Sequence, residues 1–237
     1  MKEKFIDNFI TDNRYRYLTN GLKTTLIITF FALIIGVLLG FIVAVVRVSH
    51  DKTESGNRKM SVGKFFLKIA NYVCKLYLTV VRGTPVVVQL MIIYYIIFAD
   101  FSINKVLVAI IAFGLNSGAY VAEIVRSGIN SIDDGQMEAG RSLGFSYVQT
   151  MIHIVLPQAF RNVVPALANE FITLLKETSV SGYIAVADLT KGGDIIRSRT
   201  YEPFFPLIAV ALVYLVLVII FTALVGKLER RFKNSER

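Results

Sequence analysis

Tryptophan is absent from the chain, and cysteine and histidine are scarce. The single cysteine, Cys74, excludes an internal disulfide and any metal site built from several cysteines. His50 and His153 lie far apart and show no HExxH spacing, so we expect no metal site. The sequence also lacks a P-loop, a Ser-His-Asp set and a paired-carboxylate arrangement, so we expect neither an ATPase nor a hydrolase.

Apolar side chains are what the chain has in excess. They make up 54% of its residues, and the mean hydropathy is +0.59. The apolar runs are far longer than the tracts of about 10 residues expected for barrel strands. We therefore predict an all-α integral membrane protein that crosses the lipid bilayer several times and forms one domain over residues 1–237.

The apolar runs predict five transmembrane helices, and a polar N-terminus without a small-residue cleavage site indicates no removable signal peptide. The predicted spans are residues 22–46, 85–99, 106–125, 163–186 and 204–225. The short second span follows Lys64 to Val81, an amphipathic stretch that we expect to lie along the cytoplasmic surface. Residues 49–63 are polar and without periodicity, which predicts a flexible cytoplasmic loop.

The net charge of +9 comes from basic residues placed between the apolar runs, so we expect no nucleic-acid partner. Residues 47–82, 126–161 and 227–237 hold eight, three and five Lys or Arg, which makes sixteen on one side of the membrane. The opposite side holds nine, and Lys176 lies inside a span. The positive-inside rule therefore predicts an external N-terminus and a cytoplasmic C-terminus.

A soluble-looking helical hairpin interrupts the membrane-like sequence between Asp133 and Pro157. Asp133 to Gly135 supply a helix start, and Gln136 to Leu143 make about two turns. A turn is expected at Gly144, and Ser146 can cap a second helix that stops before Pro157.

This segment, EAGRSLGFSYVQTMIHIVLP, resembles the EAA loop of ABC-transporter permeases, which docks in a cleft of a cytoplasmic ATPase. The resemblance implies that Gln136 to Leu143 form the coupling helix, in which Glu138 and Arg141 make polar contacts to the ATPase. Ala139 and Gly140 would permit close approach, and Gly144 would allow a sharp turn. An ordinary solvated loop is the alternative interpretation.

Other segments resemble the polar amino-acid branch of these permeases. They are Arg82-Gly83-Thr84-Pro85 with Gln89-Leu90, AYVAEIVRSGINSI from Ala119, NEFITLLKETS from Asn169 and the closing LERR. The resemblance implies a MetI-like core of five helices in a bacterial cytoplasmic membrane. It also implies a second permease subunit, identical or different, two cytoplasmic ABC ATPase subunits that hold the ATP and Mg²⁺, and an extracytoplasmic amino-acid-binding protein.

The fourth span is rich in polar residues. Glu170, Thr173 and Glu177 are spaced by three and four, which predicts one helix face. Ionisable groups at membrane depth usually face a bundle interior or a watery path, so this face could hold the ammonium group or a cationic side chain of an amino acid. A structural network in which Lys176 neutralises a carboxylate of a neighbouring helix is the alternative.

Two further segments could contribute to a substrate site. Thr84 could cap a helix that begins at Pro85, and with Arg82 could offer a substrate carboxylate a helix N-terminus; a simple surface kink is the alternative. In the third span, Ser117 and Tyr120 could line a path. The alternative there is a helix contact of small and polar residues, with Glu123 paired to Arg126.

The sequence thus predicts the permease subunit of an ATP-driven amino-acid uptake system whose energy comes from a partner. An ion-coupled secondary carrier also uses carboxylates inside spans, although it would leave the EAA-like spacing unexplained. A structural subunit of a larger membrane complex is the third possibility.

Overall fold

The protein is described by a computed structural model that covers residues 2–54 and 62–234. The part of the chain so described is all-α, and strands are absent from it. Its helices are α1 (Lys2–Phe5), α2 (Tyr15–Glu54), α3 (Val62–Gly83), α4 (Val86–Ile92), α5 (Lys105–Asn130), α6 (Asp134–Ser142), α7 (Tyr147–Thr150), α8 (Leu156–Glu177), α9 (Leu189–Thr200) and α10 (Phe204–Asn234). Short π-helical turns cover Ile6–Ile10, Ile93–Ile97 and Met151–Val155, and 3₁₀ turns cover Thr11–Asn13 and Thr178–Ile184.

Within the described residues, three helices are long and apolar enough to cross a membrane: α2, α5 and α10. Helix α3 and the segment Val86–Ile97 meet the same test together, as a pair bent by 111° at Pro85. Helix α8 does not meet it, because its polar residues lower the mean hydropathy. Length and composition alone therefore support up to four crossings.

Helices α2 and α5 pack closely and in parallel because glycines remove the side chains between them. A Cβ atom on Gly36 would lie 2.8 Å from Ser117 Oγ, and one on Gly40 would lie 2.6 Å from Val121. From the other side, a Cβ on Gly114 would lie 2.8 Å from Ile35. Two small-xxx-small motifs thus let the two backbones approach each other, as in other membrane helix pairs.

The remaining long helices alternate in direction around α5. Ser117 of α5 contacts Glu170 of α8, whereas Ser131 contacts Asn162, so α5 and α8 are antiparallel. Phe171 of α8 packs edge-to-face against Phe221 of α10, and the C-terminal end of α8 lies near the start of α10, so that pair is antiparallel too. Since α2 and α5 run the same way, the chain between them must return to the side where α2 began.

The buried core follows α5 along its length. In one half, Phe113 packs with Ile28 of α2, Leu90 of α4 and Leu174 of α8. In the other half, side chains from α2, α5 and α8 form a second cluster, made of Ala44, Val48, Val121, Val125, Ile129, Val155, Ala159 and Val163. Helix α10 stays almost wholly exposed in the single chain, so its apolar surface is left for lipid or another subunit.

The helices differ from the predicted organisation at several points. Helix α2 continues to Glu54 and α3 begins at Val62, so the predicted loop over 49–63 is wrong at both ends; residues 55–61 lie outside the described part. The predicted span 163–186 is α8 followed by a 3₁₀ turn from Thr178. The polar N-terminus is helical up to Asn13, where Asp12 and Asn13 adopt positive φ values of 53°.

We predict that Gly40→Leu destabilises the protein, because its Cβ would meet Val121 and the backbone nitrogen of Ala122, at 2.8 Å. Overpacking of this kind costs about 1–3 kcal/mol. Thermal unfolding of the purified protein in detergent measures the effect. Gly226→Leu is the matched control, because nothing lies within 4 Å of a Cβ atom at that position. Equal melting temperatures for the two variants would contradict the packing argument.

Candidate functional site

A polar groove runs along the contact between α5 and α8. Near its middle, Ser117 Oγ donates a hydrogen bond of 2.9 Å to Glu170 Oε1. Ser117 is fully buried and Glu170 is 8% exposed. A carboxyl group held inside the bundle in this way avoids lipid and keeps one polar partner.

A cavity of about 470 Å³ lies between the same two helices, nearer the helical hairpin. Its lining combines a carboxylate, an amide and two hydroxyls with small apolar residues, and consists of Glu123, Ile124, Ser127, Gly128, Ser131, Asn162 and Ala166. Ala166 lies one turn from Glu170, so the cavity adjoins the buried carboxyl group. Asn162 Nδ2 donates to Ser131 Oγ at 2.9 Å and closes the far end.

The other polar residues of α8 lie at different depths. Glu177 is half-buried and interacts electrostatically with Glu170, whereas Thr173 is exposed at the edge of the predicted face. Lys176 points elsewhere and lines a second cavity, of about 340 Å³, with Ser179, Thr190 and residues of α10. Among the described ion pairs none joins Lys176 to a carboxylate of a neighbouring helix, so the structure gives the network interpretation no support.

The segment from Arg82 to Pro85 forms the sharp bend between α3 and α4. Arg82 Nη1 lies 3.7 Å from Glu123 Oε2, and its guanidinium lies 5.8 Å from the centre of the Tyr120 ring. The prediction that Thr84 caps the following helix is wrong: Pro85 is the N-cap and carries no side-chain cap. The Thr84 hydroxyl turns back instead and donates to Val80 O at 2.8 Å.

Glu123 is shared between two arginines. Arg126 Nη2 donates to its Oε2 at 3.1 Å, which confirms the predicted i,i+3 pair, and Arg82 approaches the same oxygen. Tyr120 is half-buried and lies beneath Arg82. The tertiary fold therefore brings Arg82, Tyr120 and Glu123 together, with Tyr120 about one turn and Glu123 about two turns from Ser117 along α5.

The hairpin between α5 and α8 forms as predicted in its first half. The Asp133 side chain accepts a 2.6 Å hydrogen bond from Gly135 N and begins α6, which holds Gln136, Glu138, Ala139 and Arg141. These four residues are exposed. Gly144 has φ of 89° and makes the turn, and Ser146 and Gln149 then form a reciprocal capping box.

The second half of the hairpin differs from the expectation. The helical path does not stop before Pro157, because a π-helical turn, Met151–Val155, joins α7 to α8 and places Pro157 in the first turn of α8. The proline lies directly after the π-helical turn, where the regular hydrogen-bond ladder of an α-helix is already interrupted, so its missing N–H costs less than inside an uninterrupted helix.

Gly140 also differs from its predicted role. It is buried inside the hairpin, where a Cβ atom would lie 2.5 Å from Thr150 Cγ2 and 2.9 Å from Ile154 Cδ1. The missing side chain of Gly140 therefore lets α6 pack against the returning helical arm of the same hairpin, and this face of α6 is not turned toward a partner. The tip is left apolar and exposed, with Leu143 78% and Val148 60% accessible.

A buried carboxyl group, Asp188, joins the end of α8 to α9 on the other side of the bundle. Its Oδ1 accepts a 2.7 Å hydrogen bond from Lys191 N and caps α9. Ser181 Oγ lies 3.1 Å from Oδ2 but 2.6 Å from Thr178 O, and its one proton cannot serve both. Burial raises the pKa of Asp188 to about 6.

Several polar residues of this region had no role assigned from sequence: Gln89, Asn162, Ser181 and Asp188. Gln89 is the residue for which a signal existed, because an amide four positions after a proline can replace a missing backbone donor. For the other three no local pattern marks them. No group of three or more His, Cys, Asp or Glu that could hold a metal ion is found within residues 2–54 and 62–234.

Comparisons with known proteins agree over most of the chain. The family described as "Binding-protein-dependent transport system inner membrane component" matches residues 60–234. The arginine transport system permease protein ArtQ of Bacillus subtilis (strain 168) is 38% identical over 222 residues, which covers 93% of this chain and 94% of that protein. The glutamine transport system permease protein GlnP of Escherichia coli (strain K12) is 39% identical over 168 residues, 70% of this chain and 77% of that protein.

Two solved structures have similar folds. A crystal structure of an amino acid ABC transporter with histidines matches with a TM-score of 0.81 and 39% identity, over 94% of this chain and 98% of the other. An inward-facing structure of the MetNI methionine ABC transporter matches with a TM-score of 0.73 over 92% and 97% of the two chains. The second is 21% identical and supports the fold alone.

We predict that Asp188→Asn stabilises the protein at neutral pH. The folded pKa of about 6 lies above the ordinary 3.8, so the wild type loses stability as the pH rises between these two values. Asparagine can keep the cap of α9 without that loss, and should gain about 1–3 kcal/mol above pH 6 and nothing near pH 4. Thermal unfolding measured across this pH range tests it.

Asp194→Asn is the control with the opposite sign. Hydrogen bonds from Lys191 and Arg197 lower the pKa of Asp194, so its removal should cost stability at neutral pH and little at acid pH. If Asp188→Asn proves less stable than the wild type at pH 7, the assignment of a strained buried carboxylate is wrong.

Proposed function

Because this chain belongs to the family of binding-protein-dependent transport system inner membrane components and is an amino-acid ABC transporter permease subunit, we propose that it forms the translocation path of an uptake system driven by a partner ATPase. The observation that carries the proposal is the match to the arginine permease over nearly the full length of both chains. As an integral protein of a bacterial inner membrane, it would bind no cofactor itself and leave ATP and Mg²⁺ to the partner.

A cationic or polar amino acid is the substrate class that the groove favours. Glu170 and Glu177 place two acidic groups about two turns apart along α8, and relatives are named for arginine and glutamine. Carboxylates can receive the α-ammonium group that every amino acid has, or a guanidinium in a paired geometry. Arg82 and the exposed Thr173 lie at the edges, where Arg82 can attract the substrate carboxylate.

The path would follow the groove between α5 and α8 and continue through the cavity at Glu123. Ser117, which is buried in this conformation, and the half-buried Tyr120 of α5 would be uncovered along this route when the path opens, and Asn162 and Ser131 lie where it ends near the hairpin. Thr84 stands apart, because its hydroxyl is engaged with Val80 O and Gln89. We therefore give Thr84 a structural role at the bend.

Five crossings, with the N-terminus outside, are supported by the helix directions. Helices α2, α5 and α10 run one way, and the bent α3–α4 pair and α8 return the chain. Helix α8 is too hydrophilic for hydropathy to identify it as a membrane span. It packs between α5 and α10, so it could cross the membrane with these helices shielding its polar side chains from lipid. The sixteen basic residues on the hairpin side support a cytoplasmic location for that side.

The hairpin would couple the chain to a cytoplasmic ATPase. Its exposed apolar tip, Leu143 and Val148, is flanked by the exposed Glu138 and Arg141. Apolar side chains at the centre of a patch with charges at the rim are typical of a protein contact. Helix α7, the π-helical turn and α8 follow one another without a break. A movement of the hairpin would therefore be transmitted along this continuous helix to Glu170.

An extracytoplasmic amino-acid-binding protein would meet the opposite end, where the N-terminal segment packs on α9. Lys4 Nζ contacts Glu202 Oε2 at 2.7 Å, and Arg199 stacks over the Tyr17 ring at 5.1 Å. A second permease subunit, identical or different, would complete the assembly. An ion-coupled carrier is not favoured, because it would explain neither the hairpin nor the family match.

We predict that Glu138→Arg uncouples ATP hydrolysis from transport, because it reverses the charge at the exposed contact of α6 with the ATPase. Proteoliposomes that hold this chain with its ATPase and binding protein should hydrolyse ATP yet take up labelled amino acid at about a tenth of the wild-type rate or less. Glu229→Arg, an exposed charge reversal on α10, is the control. Normal uptake by Glu138→Arg, or uptake driven by an ion gradient without ATPase, would exclude the proposed coupling.

We predict that Glu170→Gln impairs substrate handling while ATP binding and assembly remain normal. Glutamine can still accept the hydrogen bond from Ser117, but the negative charge is lost. Loss of a charged hydrogen bond costs about 1.5–3 kcal/mol, so the half-saturating amino-acid concentration should rise roughly tenfold or more. Glu229→Gln serves as the matched control, and an unchanged concentration dependence in Glu170→Gln would remove Glu170 from the substrate site.

A further inference from the structure

The bend between α3 and α4 leaves backbone acceptors without their helical donors. Helix α3 ends at Gly83, and the carbonyl groups of its last turn have no partners within the helix. The residue that would serve Val81 O is Pro85, which has no N–H. In an apolar bundle, an unsatisfied carbonyl of this kind is costly.

The side chain of Gln89 supplies the missing donor. Its Nε2 lies 2.7 Å from Val81 O, 2.7 Å from Thr84 Oγ1 and 3.0 Å from Thr84 O. Thr84 Oγ1 gives its own proton to Val80 O. The side chains of Thr84, within the break, and Gln89, beyond it, therefore close the last turn of α3.

Asn116 of α5 fixes the orientation of this amide. Its Nδ2 donates to Gln89 Oε1 at 3.1 Å, which keeps the NH₂ group of Gln89 directed at the α3 carbonyls. Asn116 is 2% exposed and precedes Ser117, whose hydroxyl holds Glu170. The bend is thus tied by side-chain contacts to the part of α5 that faces the buried carboxyl group.

We infer that Gln89 is a positioning residue for transport: its amide, oriented by Asn116, replaces the N–H that Pro85 lacks and holds the α3–α4 bend. The bend in turn keeps Arg82 beside Glu123 and over Tyr120. Without the amide, Val81 O and Thr84 O lose their partner, and the angle between the two helices becomes variable. The consequence for transport rests on the proposed function, whereas the geometry of the bend does not.

The test measures the bend directly in the assembled transporter. Spin labels are placed at Tyr72→Cys on α3 and Ile96→Cys in the π-helical turn that continues α4, two exposed positions, in a Cys74→Ser background. Labelled chain is co-assembled with an excess of unlabelled chain, so that the measured distance lies within one chain. Gln89→Met keeps the size of the side chain and removes both donors, and Val88→Met introduces the same side chain at the neighbouring exposed position.

We expect one narrow distance in the wild type and in Val88→Met, and a broadened or displaced distribution in Gln89→Met. Uptake per assembled transporter should fall roughly tenfold in Gln89→Met, since loss of the hydrogen bond to the part-buried Val81 carbonyl shifts a conformational equilibrium by about that factor. If Gln89 served stability alone, Gln89→Met would lower the amount of assembled transporter but leave the spin-label distance and the uptake per transporter unchanged. That result would overturn the inference.

Asn116→Leu provides the second variant if Gln89→Met does not assemble. It keeps the Gln89 amide but removes its orientation, so the distance distribution should broaden to a smaller degree. An unchanged distribution in Asn116→Leu would overturn the role of Asn116. If the wild type fails to take up amino acids, the proposed function fails, while the distance measurement still decides the role of Gln89.

Discussion

The parallel contact between α2 and α5 is the constraint on which the rest of the structure depends. Gly36, Gly40 and Gly114 leave no room for side chains between the two backbones. The close approach fixes α5 as the central helix, and the other long helices take their places around it. Because apolar side chains gain little from leaving lipid for one another, such close backbone packing is a main source of stability in a membrane.

Polar side chains are arranged around this core so that each serves a structural or a transport need. Glu170 is held by Ser117 within the bundle, and Glu123 is shared between Arg82 and Arg126. Both carboxyl groups lie between helices, since exposure to lipid would cost several kcal/mol. In the proposed function, these same groups would be the ones that meet an amino-acid substrate.

The hairpin shows how much of a site local sequence can predict. Its cap at Asp133, its turn at Gly144 and its second cap at Ser146 follow from residue types at fixed spacing, and all three are found. The role of Gly140 could not be predicted in this way. Glycine at that position is explained by the return of Thr150 and Ile154 onto α6, a contact that depends on the π-helical turn further along the chain.

The sequence by itself determined the all-α membrane class, the position of most helices and the hairpin, because apolar run length, charge placement and caps are local properties. Only the tertiary structure decided which polar groups meet. Ser117 and Glu170 are 53 residues apart, and Gln89 and Asn116 are 27 apart. Their contacts arise because α5 is packed between α2, α4 and α8, and the direction and depth of each helix, which no local pattern encodes, place one side chain opposite the other.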